Sequence, residues 1–108
     1  MDTHTVLSLA HVFVLGPLLV AIGAGYVDAY PMAVAALGAF ITVYHAWRGY
    51  GKYAAGSSGI WINLIHTLVV GPAIFAKGWA TDAPRWLNEV ILMLGFAAIG
   101  YHAYRLVF

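Results

Sequence analysis

Four histidines, His11, His45, His66 and His102, recur in two local contexts that could do chemistry. Arg48 follows His45 by three residues and Arg105 follows His102 by three. On a helix that spacing sets each guanidinium one turn from its imidazole on the same face. The pair suits an anionic group whose body lies beside the ring. Tyr44 and Tyr101 directly precede two of the histidines, and Gly38 and Gly95 lie seven residues before them, again on the same face. A glycine groove lets a flat ring reach the backbone, and it equally lets two helices pack closely. A haem b ligated by one His from each half, with its propionates at Arg48 and Arg105, would use all of these features. A single transition ion held by His11, His45, His66 and His102 is the alternative metal chemistry, with copper, zinc or iron as candidates. The absence of Cys and the small number of Met, three, speak against a soft copper(I) carrier. Chlorophyll, which takes one axial His, is compatible with the same residues.

The contexts themselves repeat. Leu9-Ala10-His11 through Leu15-Gly16-Pro17 aligns with Leu64-Ile65-His66 through Val70-Gly71-Pro72, under the pattern L-x-H-x-x-V-x-G-P. Leu37-Gly38 followed by Tyr44-His45-Ala46-Trp47-Arg48 aligns with Leu94-Gly95 followed by Tyr101-His102-Ala103-Tyr104-Arg105. His66 lies 55 residues after His11 and His102 lies 57 after His45, so the second hairpin loop is slightly longer. The chain reads as two tandem two-helix hairpins, residues 1–54 and 55–108, within one domain. Two spans separate equivalent positions, so the copies are expected in parallel orientation about an axis along the membrane normal. Conservation of spacing at His, Arg and Tyr, which are costly in hydrocarbon, favours function over packing alone.

The elements that must carry these residues are membrane helices. At 108 residues, 63% hydrophobic and 8% charged, the composition is far from a soluble domain's. Apolar stretches run over residues 5–25, 31–50, 59–77 and 85–107, each near the roughly 20 residues a helix needs to cross hydrocarbon. They are rich in Ala, Leu and Gly without strict alternation, which disfavours a β-barrel. The expected fold is an all-α four-helix integral membrane bundle. From a rise of about 1.5 Å per residue, all four imidazoles fall near one depth, on the side of the termini. Pro31 and Pro84 suit helix starts, and Ser57 or Ser58 is a candidate cap for the third helix. Pro17 and Pro72 interrupt their spans and should kink them by freeing the carbonyls of Phe13 and Leu68. Asn63, three residues before His66, and Ser8, three before His11, are candidates for fixing a tautomer.

Four spans place both termini on one side. Arg48, Lys52 and Arg105 fall on that side and Lys77 and Arg85 on the other, a weak bias toward cytoplasmic termini. The first span lacks a basic leader and is needed by the repeat, so it is expected to belong to the working protein rather than to a cleaved signal. Net charge of +1 excludes nucleic acid as a partner. The expected partners are the lipid bilayer and either further copies of the chain or a larger membrane complex. No hydrolase or transferase motif is present, so any enzymatic role is confined to redox chemistry. Both lysines lie at span ends, which leaves no retinal attachment site. Three functions compete: a His-ligated tetrapyrrole or metal protein for electron transfer, a histidine-gated proton or ion path, and a non-catalytic accessory subunit. Glu89 in the first turn of the last helix fits a structural role, and His4 an exposed tail.

Overall fold

The computed structural model describes residues 2–80 and 82–108. Four helices, and no strand, are present among them: α1 Thr3–Gly23, α2 Pro31–Ala54, α3 Ile60–Trp79 and α4 Arg85–Val107. Asp2 caps α1 by accepting the Thr5 backbone N–H at 2.7 Å. Pro31 opens α2, where its missing N–H has no partner to lose. Pro84 stands one place before α4, and its carbonyl accepts the Leu87 N–H. Neither serine caps α3. Gly59 holds the cap position without a side-chain bond, and Ser57 Oγ instead accepts the Gly59 N–H within the loop. Gly25 and Gly56 take positive φ just past α1 and α2, where the chain reverses and an L side chain would be strained.

Three helices, α1, α3 and α4, are long and apolar enough to cross a membrane. Helix α2 is 24 residues long, but Tyr44, His45, Trp47 and Arg48 make its second half too polar to meet the same measure, so the expectation of four such helices holds for three. The distribution of apolar side chains fits lipid as the solvent. Phe13 and Leu68 are 71% and 69% exposed, while the fully buried positions are small in number, chiefly Ile22, Ile74 and Ile91.

The chain forms two compact units. One combines Met1–Val27 with Pro84–Phe108, and the other is Asp28–Ala83. In the first, α1 packs antiparallel on α4: a Cβ built at Gly95 would lie 2.7 Å from Val20 N and 3.0 Å from Gly16 O. In the second, α2 packs antiparallel on α3, where a Cβ at Gly38 would lie 2.6 Å from Phe75 Cα and 2.8 Å from Gly71 O. Backbone meets backbone at these points because glycine carries no side chain, the small-residue packing that membrane helices use in place of hydrophobic collapse. Lys77 Nζ pairs with Asp28 Oδ1 at 2.9 Å and ties the end of α3 to the loop before α2. On α4, Arg85 Nε donates to Glu89 Oε1 at 2.8 Å, one helical turn away, which gives Glu89 the structural role expected of it.

Candidate functional site

Each unit contains one pair of face-to-face imidazoles. His11 of α1 stacks on His102 of α4 with ring centroids 4.1 Å apart and planes inclined by 27°. His45 of α2 stacks on His66 of α3 at 4.2 Å and 22°. Each α2 or α4 histidine also receives its preceding tyrosine edge-on: Tyr44 against His45 at 5.2 Å and 89°, Tyr101 against His102 at 5.1 Å and 83°. All four imidazoles are half-buried. The structure therefore brings the predicted histidines together in twos. Among the described residues no group of three or more His, Asp or Glu side chains gathers at metal-ligating spacing, so a four-imidazole metal site finds no support.

The backbone around His11 and His66 is unusual in the same way in both units. Residues His11–Leu15 and His66–Val70 form π-helical turns, closed by the Gly16 N–H donating to His11 O and the Gly71 N–H to His66 O. Pro17 and Pro72 follow one residue later. An interior proline lacks the N–H for the ordinary bond and crowds the carbonyl four residues back. Widening the turn by one residue moves that conflict out of register. The expected disturbance at the Gly-Pro steps thus takes the form of a π turn that begins at the histidine, a feature often found at functional sites.

These turns accompany a defined ring chemistry. His11 Nδ1 lies 2.7 Å from Leu7 O, and His66 Nδ1 lies 2.7 Å from Ile62 O. A carbonyl oxygen can only accept, so Nδ1 carries the proton and Nε2 carries the lone pair. His45 has the opposite surroundings. Asn63 Nδ2 donates to His45 Nδ1 across 3.1 Å, placing the His45 proton on Nε2. Asn63 shares a helix with His66 yet orients the histidine of the neighbouring helix. Ser8, its counterpart in spacing, is buried on α1.

The remaining candidates are placed as follows. Gly38 and Gly95 are taken up in the helix contacts described above. Arg48 is exposed on α2. Arg105 is exposed and donates from Nε to His4 Nε2 at 3.3 Å. His4 belongs to the first turn of α1 rather than to a loose tail, and its contact with Arg105 was not signalled by any spacing because 101 residues separate the two. No protein family, curated protein or solved structure matches the sequence significantly.

Proposed function

We propose that the chain is a small integral membrane protein that holds a haem-like tetrapyrrole for electron transfer, with His11 in one unit and His66 in the other as the residues that would ligate it. One observation carries the reading: in each of these residues a backbone carbonyl one turn back takes the Nδ1 proton and so fixes the tautomer and the orientation of the ring. A histidine that binds a metal is commonly held in this way, its second nitrogen donating to a carbonyl so that tautomer and ring orientation are set in advance. The stacked partners are compatible with such a role. Rings 4.1 and 4.2 Å apart are already in contact face to face, so His11 and His66 would hold a macrocycle through Nε2 and not through a ring face. His102 and His45 then support the ligating rings from behind, and Tyr101 and Tyr44 hold those supports edge-on. Arg48 and Arg105 are cations one turn beyond, suited to propionates, and Arg105 would exchange His4 for a carboxylate. When bound, haem supplies one-electron redox chemistry, tuned by its axial ligands.

The proposed setting is a lipid bilayer crossed four times by two tandem hairpins, residues 1–54 and 55–108, in parallel orientation, with both termini on the cytoplasmic face. The recurrence of the same stack, tyrosine contact, glycine contact and π turn at positions related by the sequence repeat supports a duplicated origin. A chain of this size is expected to work within an oligomer or a larger membrane complex.

The test is an absorption spectrum of the detergent-purified protein from near ultraviolet to far red, with iron analysis of the same sample. A Soret band that sharpens on reduction is expected. His11→Ala and His66→Ala should each lower haem content, whereas Tyr44→Phe should leave it unchanged. A folded protein that stays colourless and metal-free after expression with added haem would refute the reading, and proton flux in liposomes would then test the channel alternative.

A further inference from the structure

Beside the His45–His66 stack, on the surface of the Asp28–Ala83 unit, lies an open cavity of about 280 Å³ whose walls include the exposed Ala46, Tyr53 and Leu64 and the buried or half-buried Gly49, Asn63 and Thr67. Gly49 stands in its wall where α2 comes close to α3: a Cβ there would lie 3.2 Å from Asn63 Cβ and meet nothing else within 4 Å. Two buried polar atoms of its wall, Asn63 Oδ1 and Thr67 Oγ1, have no hydrogen-bond partner. Asn63 is only 5% exposed, and its amide nitrogen is engaged with His45 Nδ1. An acceptor left unmet at such depth is costly, and native proteins rarely retain one without a reason.

The other unit keeps the counterparts of Ala46 and Leu64, as Ala103 and Leu9, but lacks three residues of this wall. By the offsets of the repeat, Gly49 corresponds to Leu106, Asn63 to Ser8 and Thr67 to Val12. The histidines, their tyrosines and the packing glycines are the same in both halves. The two halves thus differ where the cavity stands and agree where the stacks stand.

The required occupant can be read from the walls. The space equals the liquid volume of roughly nine waters at ~30 Å³ each, yet its lining is apolar apart from the Asn63, Thr67 and His45 edge, so water alone would be poorly held. It is smaller than the pockets of about 300–1,000 Å³ that enclose drug-sized ligands, which limits the occupant to about one substituted ring. Oδ1 accepts only, so that ring must bring a hydroxyl donor. We propose that this cavity binds the ring of a membrane-soluble hydroquinone, one hydroxyl donating to Asn63 Oδ1 and Thr67 Oγ1 making the second polar contact. The assignment goes beyond the haem reading and does not depend on it, since the binding site is built from this unit's own side chains.

Isothermal titration of the full chain in nanodiscs tests the proposal, using a decyl-substituted benzohydroquinone without oxygen and, separately, the corresponding benzoquinone. The quinone offers acceptors only, so the hydroquinone should bind about ten-fold more tightly, the worth of one hydrogen bond to a buried acceptor. Thr67→Val, which keeps shape and removes the hydroxyl, should weaken hydroquinone binding several-fold without loss of helix content. Asn63→Leu should abolish the preference for the reduced form. Equal affinity for the two forms, tighter binding of the quinone, unchanged binding in Thr67→Val, or no saturable binding, which would leave water as the occupant, would each overturn the proposal. Haem content measured on the same sample keeps this outcome separate from that of the axial-ligand reading.

Discussion

Replacing Gly38 by Ala tests whether backbone contact between α2 and α3 is what sets the position of the imidazole pair two turns further on. The added Cβ would stand 2.6 Å from Phe75 Cα and 2.8 Å from Gly71 O, whereas ordinary contact begins near 3.4 Å. Phe75 N stands closer still, so the helices must part by more than about 0.8 Å at that level, and none of these obstacles is the end of a flexible side chain. Overpacking of this kind costs about 1–3 kcal/mol, and rigid backbone neighbours put it in the upper part of that range. Alanine returns up to about 1 kcal/mol through helix propensity. Gly100→Ala provides the matched control, because a Cβ there meets nothing within 4 Å and brings the propensity gain alone. The propensity gain cancels between the two variants, leaving a difference of about 2–3 kcal/mol in favour of Gly100→Ala. Titration of dodecyl maltoside micelles with SDS, followed by tryptophan fluorescence, measures it. Agreement of the two variants within about 0.5 kcal/mol would refute the reasoning, because the close approach would then be too soft to matter. Gly95→Ala should repeat the result in the other unit, since Val20 N at 2.7 Å is an equally rigid neighbour.

Pro72→Ala should stabilise the protein by about 1 kcal/mol, a fraction of the roughly 3 kcal/mol an interior proline costs, because the π turn has already relieved part of the conflict. It should also shift the spectrum of a bound haem by letting the His66 turn relax, and an unchanged spectrum in the loaded protein would show that the turn does not set the ring. Asp28→Asn should cost about 1–2 kcal/mol in the same SDS titration, because the Lys77 side chain is 9% exposed and loses its anion, while the half-exposed carboxylate keeps the effect below that of a fully buried pair. No change would mean that the ammonium reaches water unaided. At Asp2 the Thr5 backbone N–H, joined by the Thr5 hydroxyl side, holds the carboxyl below its ordinary value of 3.8. The folded value is the depressed one, so the cap's contribution is complete above about 3.8 and is lost as pH falls through the lower folded value. Exchange of the Thr5 amide should therefore speed up only in strong acid, and Asp2→Ala should show fast exchange at every pH.

The helices were legible in the sequence because their apolar stretches are long and their ends carry glycine and proline, and the observed bounds differ from the expected ones by a few residues. Height within a helix pair was also legible, since helix rise brings His11 level with His102 and His45 level with His66. Azimuth was not. Spacing alone put four imidazoles at one level but could not say that His11 would face His102 and His45 would face His66. The same limit hid Asn63: read along its own helix it belongs with His66, and only the packing of α2 on α3 delivers its amide to His45. The Gly-Pro steps announced a disturbance, yet a missing N–H is equally satisfied by a kink or by a wider turn. Gly49 carried no signal in sequence, because nothing along its own helix says that Asn63 of α3 comes within 3.2 Å of where its Cβ would stand.

The division of the chain has a consequence for the order of its assembly. The Asp28–Ala83 unit is continuous, so α2 and α3 can find each other as soon as residue 83 has left the ribosome. The other unit is split between the two ends of the chain, so α1, the first helix made, meets its packing partner within that unit, α4, only after the other three helices have been made. Until then its polar side chains, Ser8 and His11, lack the α4 surroundings that the finished unit gives them. Because His4 and Arg105 meet near the two ends, a short peptide joining Phe108 to the start of the chain, with a new break in the loop before Pro31, would make both units continuous and remove the wait.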